Sequence, residues 1–155
     1  MVTMKKQGKP DPTAARSLAA ELGRALPRLP KQLLRTDTLV REHHLPLSQL
    51  QLLLLLADGE AAIGAISRSL GIAKPNVSPI VDALQQAGLI HRSRSEQDRR
   101  VVCVRLTEAG EAKVKAIHET LTEQAESWQQ KLSPSQMREM QRALTSILEL
   151  LQKLD

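Results

Sequence analysis

The chain has 155 residues, a formal net charge of +5, a single Trp and neither Phe nor Tyr. This length suits one compact core with an elongated attachment, and the positive charge favours a polyanionic partner. Because proteins that bind single strands stack bases on aromatic rings, the composition argues against single-stranded nucleic acid. The single cysteine excludes an internal disulfide framework and fits a reducing compartment. We expect no signal peptide and no transmembrane segment, and therefore a cytoplasmic protein.

The first third of the chain predicts a tail, an interrupted helix and a buried helix. Residues 1–10 are polar, basic and without periodicity, which predicts disorder. Asp11 precedes a proline and is predicted to cap a leucine-striped helix that reaches about residue 42. Pro27 and Pro30 are expected to bend or divide this helix. Ser48 and Gln51 then form the pattern of a capping box, and the leucine-rich helix that follows is predicted to be the buried hub.

Residues 63–88 predict two helices joined by a tight turn. Ile63, Ile66 and Leu70 recur at helical spacing, and Gly71 follows where a helix end needs a residue that tolerates a left-handed backbone. A second helical pattern stops at Gly88, and its predicted buried stripe is Val77, Ile80, Val81 and Leu84. This arrangement is a helix-turn-helix, whose second helix can enter the major groove of DNA.

A hairpin is predicted directly after the second helix. Two β-prone segments, 89–93 and 101–106, flank a polar tip that carries Arg94, Arg99 and Arg100. Taken alone, these arginines are typical of a solvated turn. Attached to a helix-turn-helix, the hairpin predicts a winged helix with a basic wing.

The C-terminal third predicts two further amphipathic helices. Thr107 is expected to cap the first of them, and Ser133 with Gln136 forms a second capping box before the last. Both ends of the chain keep wide apolar stripes, and leaving them in water costs several kcal/mol at about 25 cal/mol per Å². We therefore expect the two ends to pack together and against a second copy in a two-fold dimer. The alternative is a monomer whose terminal helices pack on the core.

These patterns predict a mainly α fold with a small β-hairpin wing. A winged helix-turn-helix DNA-binding domain is expected over residues 47–107, flanked by dimerisation helices in residues 11–46 and 108–155.

The sequence resembles the MarR family of bacterial transcription regulators over nearly its whole length. The wing signature Asp98-Arg99-Arg100, with Leu106-Thr107 and Gly110 downstream, is the most specific part of the resemblance, and Leu70-Gly71-Ile72 and Gly88-Leu89-Ile90 also match. The resemblance implies a homodimer that binds a palindromic operator, usually as a repressor. It also implies release from DNA when a small phenolic or lipophilic effector binds between the dimerisation helices and the DNA-binding lobe.

The resemblance assigns DNA-binding roles to both parts of the winged helix. On the wing, Arg100 is expected to enter the minor groove and Asp98 to orient it, while phosphate contacts are expected from Arg92, Arg94 and Arg99. On the recognition helix the candidate residues are Lys74, Asn76, Ser78 and Gln85. Asn76 is the preferred base reader, because an amide can pair with adenine through two hydrogen bonds. Arg68, on the first helix of the motif, is expected to contact the DNA backbone.

Two residues depart from the family pattern. Ala73 stands where a capping Ser or Thr is common, and Pro79 stands inside the recognition helix where arginine is frequent. Because a proline ring crowds the preceding turn, we expect this helix either to start later or to bend.

Other chemistries receive less support from the sequence. Cys103 lies in a predicted strand, which favours a buried and inert thiol over a peroxide sensor. His43, His44 and His118 show no spacing that demands a metal, so we expect solvated or hydrogen-bonded histidines and no cofactor. Without a phosphate loop or a nucleophile motif, we expect no enzyme. A winged helix that binds protein instead of DNA is the alternative, and any effector pocket is expected to be aliphatic with few polar anchors.

Overall fold

Seven α-helices and a small sheet make up the part of the chain that the computed structural model describes, which is residues 11–94, 98 and 100–154. The predicted disordered tail, residues 1–10, lies outside it. The elements in chain order are α1 (Pro12–Ala25), a π-helical turn (Leu29–Leu33), α2 (Thr36–His43), α3 (Leu47–Leu55), a 3₁₀ turn (Leu56–Asp58), β1 (Ala61–Ala62), α4 (Ile63–Leu70), α5 (Lys74–Gln86), β2 (Ile90–Arg94), β3 (Val102–Leu106), α6 (Glu108–Trp128) and α7 (Pro134–Leu151). Within these ranges no helix has the length and apolar character needed to cross a bilayer.

The two prolines divide the first helical region, as predicted. The Asp11 carboxylate caps α1 by accepting a hydrogen bond from the Thr13 N–H at 2.8 Å. α1 ends at Ala25, and the chain passes through a π-helical turn that contains Pro30. Arg35 then adopts a left-handed backbone (φ 42°) before α2 begins.

Three of the four predicted helix caps are confirmed, and one is wrong. The Thr107 hydroxyl accepts the Gly110 N–H at 3.1 Å, and Ser133 and Gln136 form a complete capping box. Ser48 does not cap α3. The chain becomes helical directly after Pro46, so Ser48 already lies inside the first turn and no side chain caps the helix. α3 is nevertheless the predicted hub of the core, because its leucines at positions 50, 52 and 53 are fully buried.

The sheet has three antiparallel strands in the order β1-β3-β2, one more than the predicted hairpin. In the hairpin, Ile90 pairs with Leu106 and Arg94 with Val102. β1 consists of two alanines with low strand propensity, and it forms because β3 offers a free edge beside the start of α4. The fold class, mainly α with a small wing, is confirmed.

The core joins α3, α4, α5, β3 and α6. Its fully buried side chains are Leu50, Leu52, Leu53, Ile66, Val77, Val81, Leu84, Val104 and Ile117. The predicted stripe of α5 is therefore buried at 77, 81 and 84, whereas Ile80 is partly buried. Packing of this stripe fixes which face of α5 turns outward.

The terminal helices contribute nothing to this core. Neither α1 nor α7 contains a buried residue. Their apolar side chains are instead exposed, including Leu22 (59%), Ile147 (53%) and Leu148 (62%). The alternative of a monomer whose terminal helices pack on the core is therefore not the arrangement of this structure.

Gly110 is required where α6 starts against the base of the wing. A Cβ added there would overlap the Leu89 carbonyl oxygen, which accepts the Thr107 N–H at 3.0 Å. We expect Gly110→Ala to lower the free energy of unfolding by about 2 kcal/mol, because the backbone of two elements must shift. Chemical denaturation measures this loss. The control is Gly23→Ala in α1, where an added Cβ has no neighbour within 4 Å. A loss in Gly110→Ala no larger than in this control would contradict the assignment.

His43 makes stability depend on pH. The side chain is buried where α2 meets α6, with Nε2 3.1 Å from the Thr120 hydroxyl oxygen, and Lys113 donates a hydrogen bond to the His43 carbonyl at 3.0 Å. Burial, reinforced by the positive charge of Lys113, lowers the pKa of His43 from its ordinary value of 6.5. The unfolded chain therefore binds a proton at this residue before the folded chain does.

We expect the stabilising contribution of neutral His43 to be complete above pH 6.5 and to fall as the pH drops below it. His43→Gln should remove this component, whereas His91→Gln, on an exposed position of β2, should retain it. Thermal unfolding midpoints followed from neutral pH to about pH 5 provide the comparison. The same pH dependence in His43→Gln and in the wild-type protein would refute the role of His43.

Candidate nucleic-acid interface

The outer face of α5 presents the predicted recognition residues to solvent. Lys74, Asn76, Ser78 and Gln85 are all exposed, while Val77 and its stripe face the core. α5 begins at Lys74 after an extended Ala73 that makes no side-chain cap, and it runs through Pro79 to Gln86. Of the two outcomes expected from Pro79, a later start or a bend, the later start does not occur, because the helix already begins at Lys74 with Pro75 in its first turn, where proline is tolerated.

The turn between α4 and α5 is closed by Ser67 and Gly71. Gly71 adopts the left-handed conformation (φ 64°) that the sequence predicted. The Ile72 N–H donates to the Ser67 carbonyl at 3.1 Å, and the Ser67 hydroxyl donates to the Ile72 carbonyl at 2.6 Å. These two hydrogen bonds fix the position from which α5 leaves α4. The hydrogen bond of the Ser67 hydroxyl was not predicted from the sequence.

Lys74 and Arg68, two of the predicted DNA-binding residues, lie close together at the start of the helix-turn-helix. A Cβ placed on Gly64 would lie 3.6 Å from Lys74 Cε and 3.8 Å from Arg68 Nη1, so both side chains reach over this glycine. The salt bridges found among the described residues involve neither of them. Their positive charges therefore remain uncompensated at the surface beside the N-terminus of α5.

The tip of the wing is shaped by Asp98. Its carboxylate accepts the backbone N–H of Arg100 at 2.9 Å, and its carbonyl accepts the Val101 N–H at 2.9 Å. Arg94 and Arg100 are exposed. Arg99 lies outside the described residues. The contact between Asp98 and Arg100 runs through the backbone, and orientation of the Arg100 guanidinium by Asp98 stays a prediction.

Arg92 is placed between the wing and the recognition helix. Its Nη2 lies 2.6 Å from the Asp82 carboxylate and also donates to the Ser78 carbonyl at 3.4 Å. Its Nε is buried and has no hydrogen-bond partner among the described residues. A phosphate contact was expected for Arg92 from the sequence. Its ion pair with Asp82 was not predicted, because the pair depends on how β2 runs back along α5.

Cys103 and the histidines form no additional site in the described part of the chain. Cys103 is buried in β3, as predicted. Burial is the main cause that raises the pKa of its thiol, and a hydrogen bond with Glu60 raises this pKa further. His44 and His118 are exposed. No cluster of three or more metal-binding side chains is present among the described residues.

A cavity of about 510 Å³ lies in the helical part of the chain, away from α5 and the wing. Its lining is mainly apolar and includes two cations, and it comprises Arg28, Leu29, Gln32, Leu33, Trp128, Lys131, Leu132 and Met140. No carboxylate belongs to this lining.

Comparison with known proteins finds a family match for the middle of the chain. The model of the MarR family matches residues 45–102, which span α3, the helix-turn-helix and most of the wing. This segment of the chain is similar to the MarR family. The resemblance to the MarR family read from the sequence is thus confirmed over these residues, and the curated relative matched there is an HTH-type transcriptional regulator.

One curated protein matches part of this sequence, and two solved structures share its fold. The uncharacterised HTH-type transcriptional regulator YfiV of Bacillus subtilis (strain 168) is 33% identical over 72 residues, 46% of this chain and 45% of YfiV, so the match spans about half of that relative. NadR in complex with 4-hydroxyphenylacetate has a TM-score of 0.64 and 22% identity, covering 100% of both chains. FabT of Streptococcus pneumoniae in complex with DNA has a TM-score of 0.63 and 19% identity, covering 94% of this chain and 100% of FabT.

Proposed function

We propose that this protein is a MarR-family transcriptional regulator that binds double-stranded DNA through α5 and the wing. The observation that carries the proposal is the two-sided character of α5. Its inner stripe is fully buried, while Lys74, Asn76 and Ser78 face outward beside a hairpin that exposes Arg94 and Arg100. A helix held in this way can be inserted into a major groove without disturbing the core. FabT, which shares the fold, is seen in complex with DNA.

The side-chain chemistry of each exposed residue suggests which part of the DNA it contacts. Asn76 reads a base edge, with Ser78 and Gln85 as further contacts to the DNA. Lys74 and Arg68 bind the phosphate backbone, since their charges converge at the surface without an ion-pair partner among the described residues. Arg100 enters the minor groove, where negative potential is concentrated. Arg94 and Arg99 contact phosphates beside it.

The proposed active form is a homodimer that binds a palindromic operator. The exposed leucines of α1 and α7 need a partner surface, because an apolar stripe of this length is rarely left in water. A two-fold dimer covers both apolar stripes and presents two recognition helices, one to each half-site of the operator. We propose that this cytoplasmic dimer acts as a repressor.

A small apolar anion is the effector class that the cavity suits. Its leucines and Trp128 offer an apolar body, while Arg28 and Lys131 offer positive charge and no lining carboxylate opposes it. NadR, which shares the fold, was crystallised with the aromatic acid 4-hydroxyphenylacetate. Since Trp128 is the single Trp of the sequence, quenching of its fluorescence by aromatic and aliphatic carboxylic acids tests the proposal. A signal unchanged by every acid in the panel would contradict it.

The function itself is tested by selecting duplexes from a random pool with the purified protein. We expect a two-fold symmetric consensus, whose half-site spacing reports the dimer geometry. Affinity for the selected duplex should also fall steeply with added salt, because several phosphates are contacted. No enriched sequence, together with binding to a protein partner that salt barely affects, would favour the alternative of a protein-interaction module.

A further inference from the structure

The recognition helix contains a weak point at its middle. Pro79 has no N–H, so the carbonyl of Pro75, one turn earlier, lacks its helical hydrogen bond. The first turn of α5 also has no side-chain cap, since its N-cap residue is Ala73. The segment that carries Asn76 and Ser78 is therefore held less firmly by its own backbone than an ordinary helix would be.

Arg92 contacts this helix on both sides of the proline. Its guanidinium donates to the Ser78 carbonyl, just before Pro79, and pairs with the Asp82 carboxylate three residues after it. Arg92 belongs to β2, the first strand of the wing. A single side chain thus spans the interruption in α5 and connects the helix to the wing.

The surroundings of Arg92 do not suit a phosphate ligand. Its side chain is 30% exposed, its Nε is buried, and its Nη2 lies 2.6 Å from an acidic oxygen. A phosphate bound by Arg92 would lie beside the Asp82 carboxylate, and the two negative charges would repel each other. Arg94 and Arg100, by contrast, are exposed.

We propose that Arg92 and Asp82 are positioning residues for DNA recognition. Their ion pair braces α5 across Pro79 and fixes the distance between the recognition helix and the wing, so that both enter their grooves in register. This inference rests on the proposed function, and it replaces the expected phosphate contact of Arg92 with a structural connection.

The first test separates positioning from charge. Binding of Asp82→Asn is measured by fluorescence anisotropy on the selected duplex and on a scrambled duplex of equal length. We expect the ratio of the two affinities to fall about fivefold, because the helix and the wing lose their register. The control Asp37→Asn breaks a pair with Arg41 on α2 and makes the same charge change, and its ratio should equal that of the wild-type protein. A ratio in Asp82→Asn equal to that of the control would overturn the proposal.

The second test asks whether Arg92 touches phosphate. The double variant Asp82→Asn/Arg92→Gln removes the pair without changing net charge, and thermal unfolding establishes that it is folded. We expect the slope of log affinity against log salt to stay as in the wild-type protein, whereas Arg94→Gln should reduce it by about 1.8, that is about 0.9 for each subunit of the dimer. A reduction of about 1.8 in the double variant would identify Arg92 as a phosphate ligand and overturn the inference.

The third test addresses the brace across Pro79. Pro79→Ala restores the missing N–H, so Asp82→Asn introduced into this background should lower the affinity ratio less than about twofold. A full fivefold loss in that background would show that the pair does not act across the proline. If the wild-type protein bound no duplex at all, the proposed function would fail and this inference would fail with it.

Discussion

Arg100→Ala is expected to weaken binding to the selected duplex by more than about tenfold while leaving the dimer intact. The residue lies at the tip of the wing, exposed, with its backbone N–H fixed by the Asp98 carboxylate at 2.9 Å. A narrow minor groove concentrates negative potential, and an arginine presented from a defined turn enters it with little loss of conformational freedom. Titration of a labelled duplex measures the loss.

The matched control for this substitution is Arg16→Ala, an exposed position on α1 that removes the same charge far from the wing along the chain. Its affinity should change less than about twofold, since distant charges are screened by salt. Light scattering shows whether each variant keeps its mass. Equal affinities for Arg100→Ala and Arg16→Ala would remove the wing from the proposed interface.

Leu148→Asp is expected to convert the dimer into monomers and, with that, to abolish binding to a two-fold symmetric duplex. Leu148 is 62% exposed on α7 and lies on the same apolar stripe as Leu144 and Leu151. If this stripe forms the subunit contact, the substitution places an unpaired carboxylate in an apolar interface, which costs several kcal/mol. Size-exclusion chromatography with light scattering at micromolar concentration measures the mass.

The control is Ser146→Asp, which adds the same charge to the same helix on the face that carries Arg142 and Glu149. It should remain dimeric. A wild-type protein that is monomeric, or a Leu148→Asp variant that stays dimeric, would contradict the assignment of α7 to the interface. Because the core contains no residue of α7, both variants should keep the winged helix folded.

Much of the fold was predictable because its signals are local. The caps at Asp11, Thr107 and Ser133 were predicted since a side-chain oxygen and the N–H that it accepts lie two or three residues apart. The buried stripe of α5 followed from apolar residues at helical spacing, and the left-handed turn from Gly71. The failure at Ser48 has an equally local cause, because Pro46 starts the helix earlier than the capping pattern implies.

The sequence by itself therefore determined the order of the helices and of the two hairpin strands, the inner face of the recognition helix and the apolar stripes at both ends. The tertiary structure alone decided how distant residues meet. It paired β1 with the edge of β3, closed the turn after α4 through the Ser67 hydroxyl, and brought Arg92 to Asp82. Periodicity records which face of an element is buried, whereas the partner of a polar side chain depends on the path of the chain between them, and that path is set by packing of the whole core.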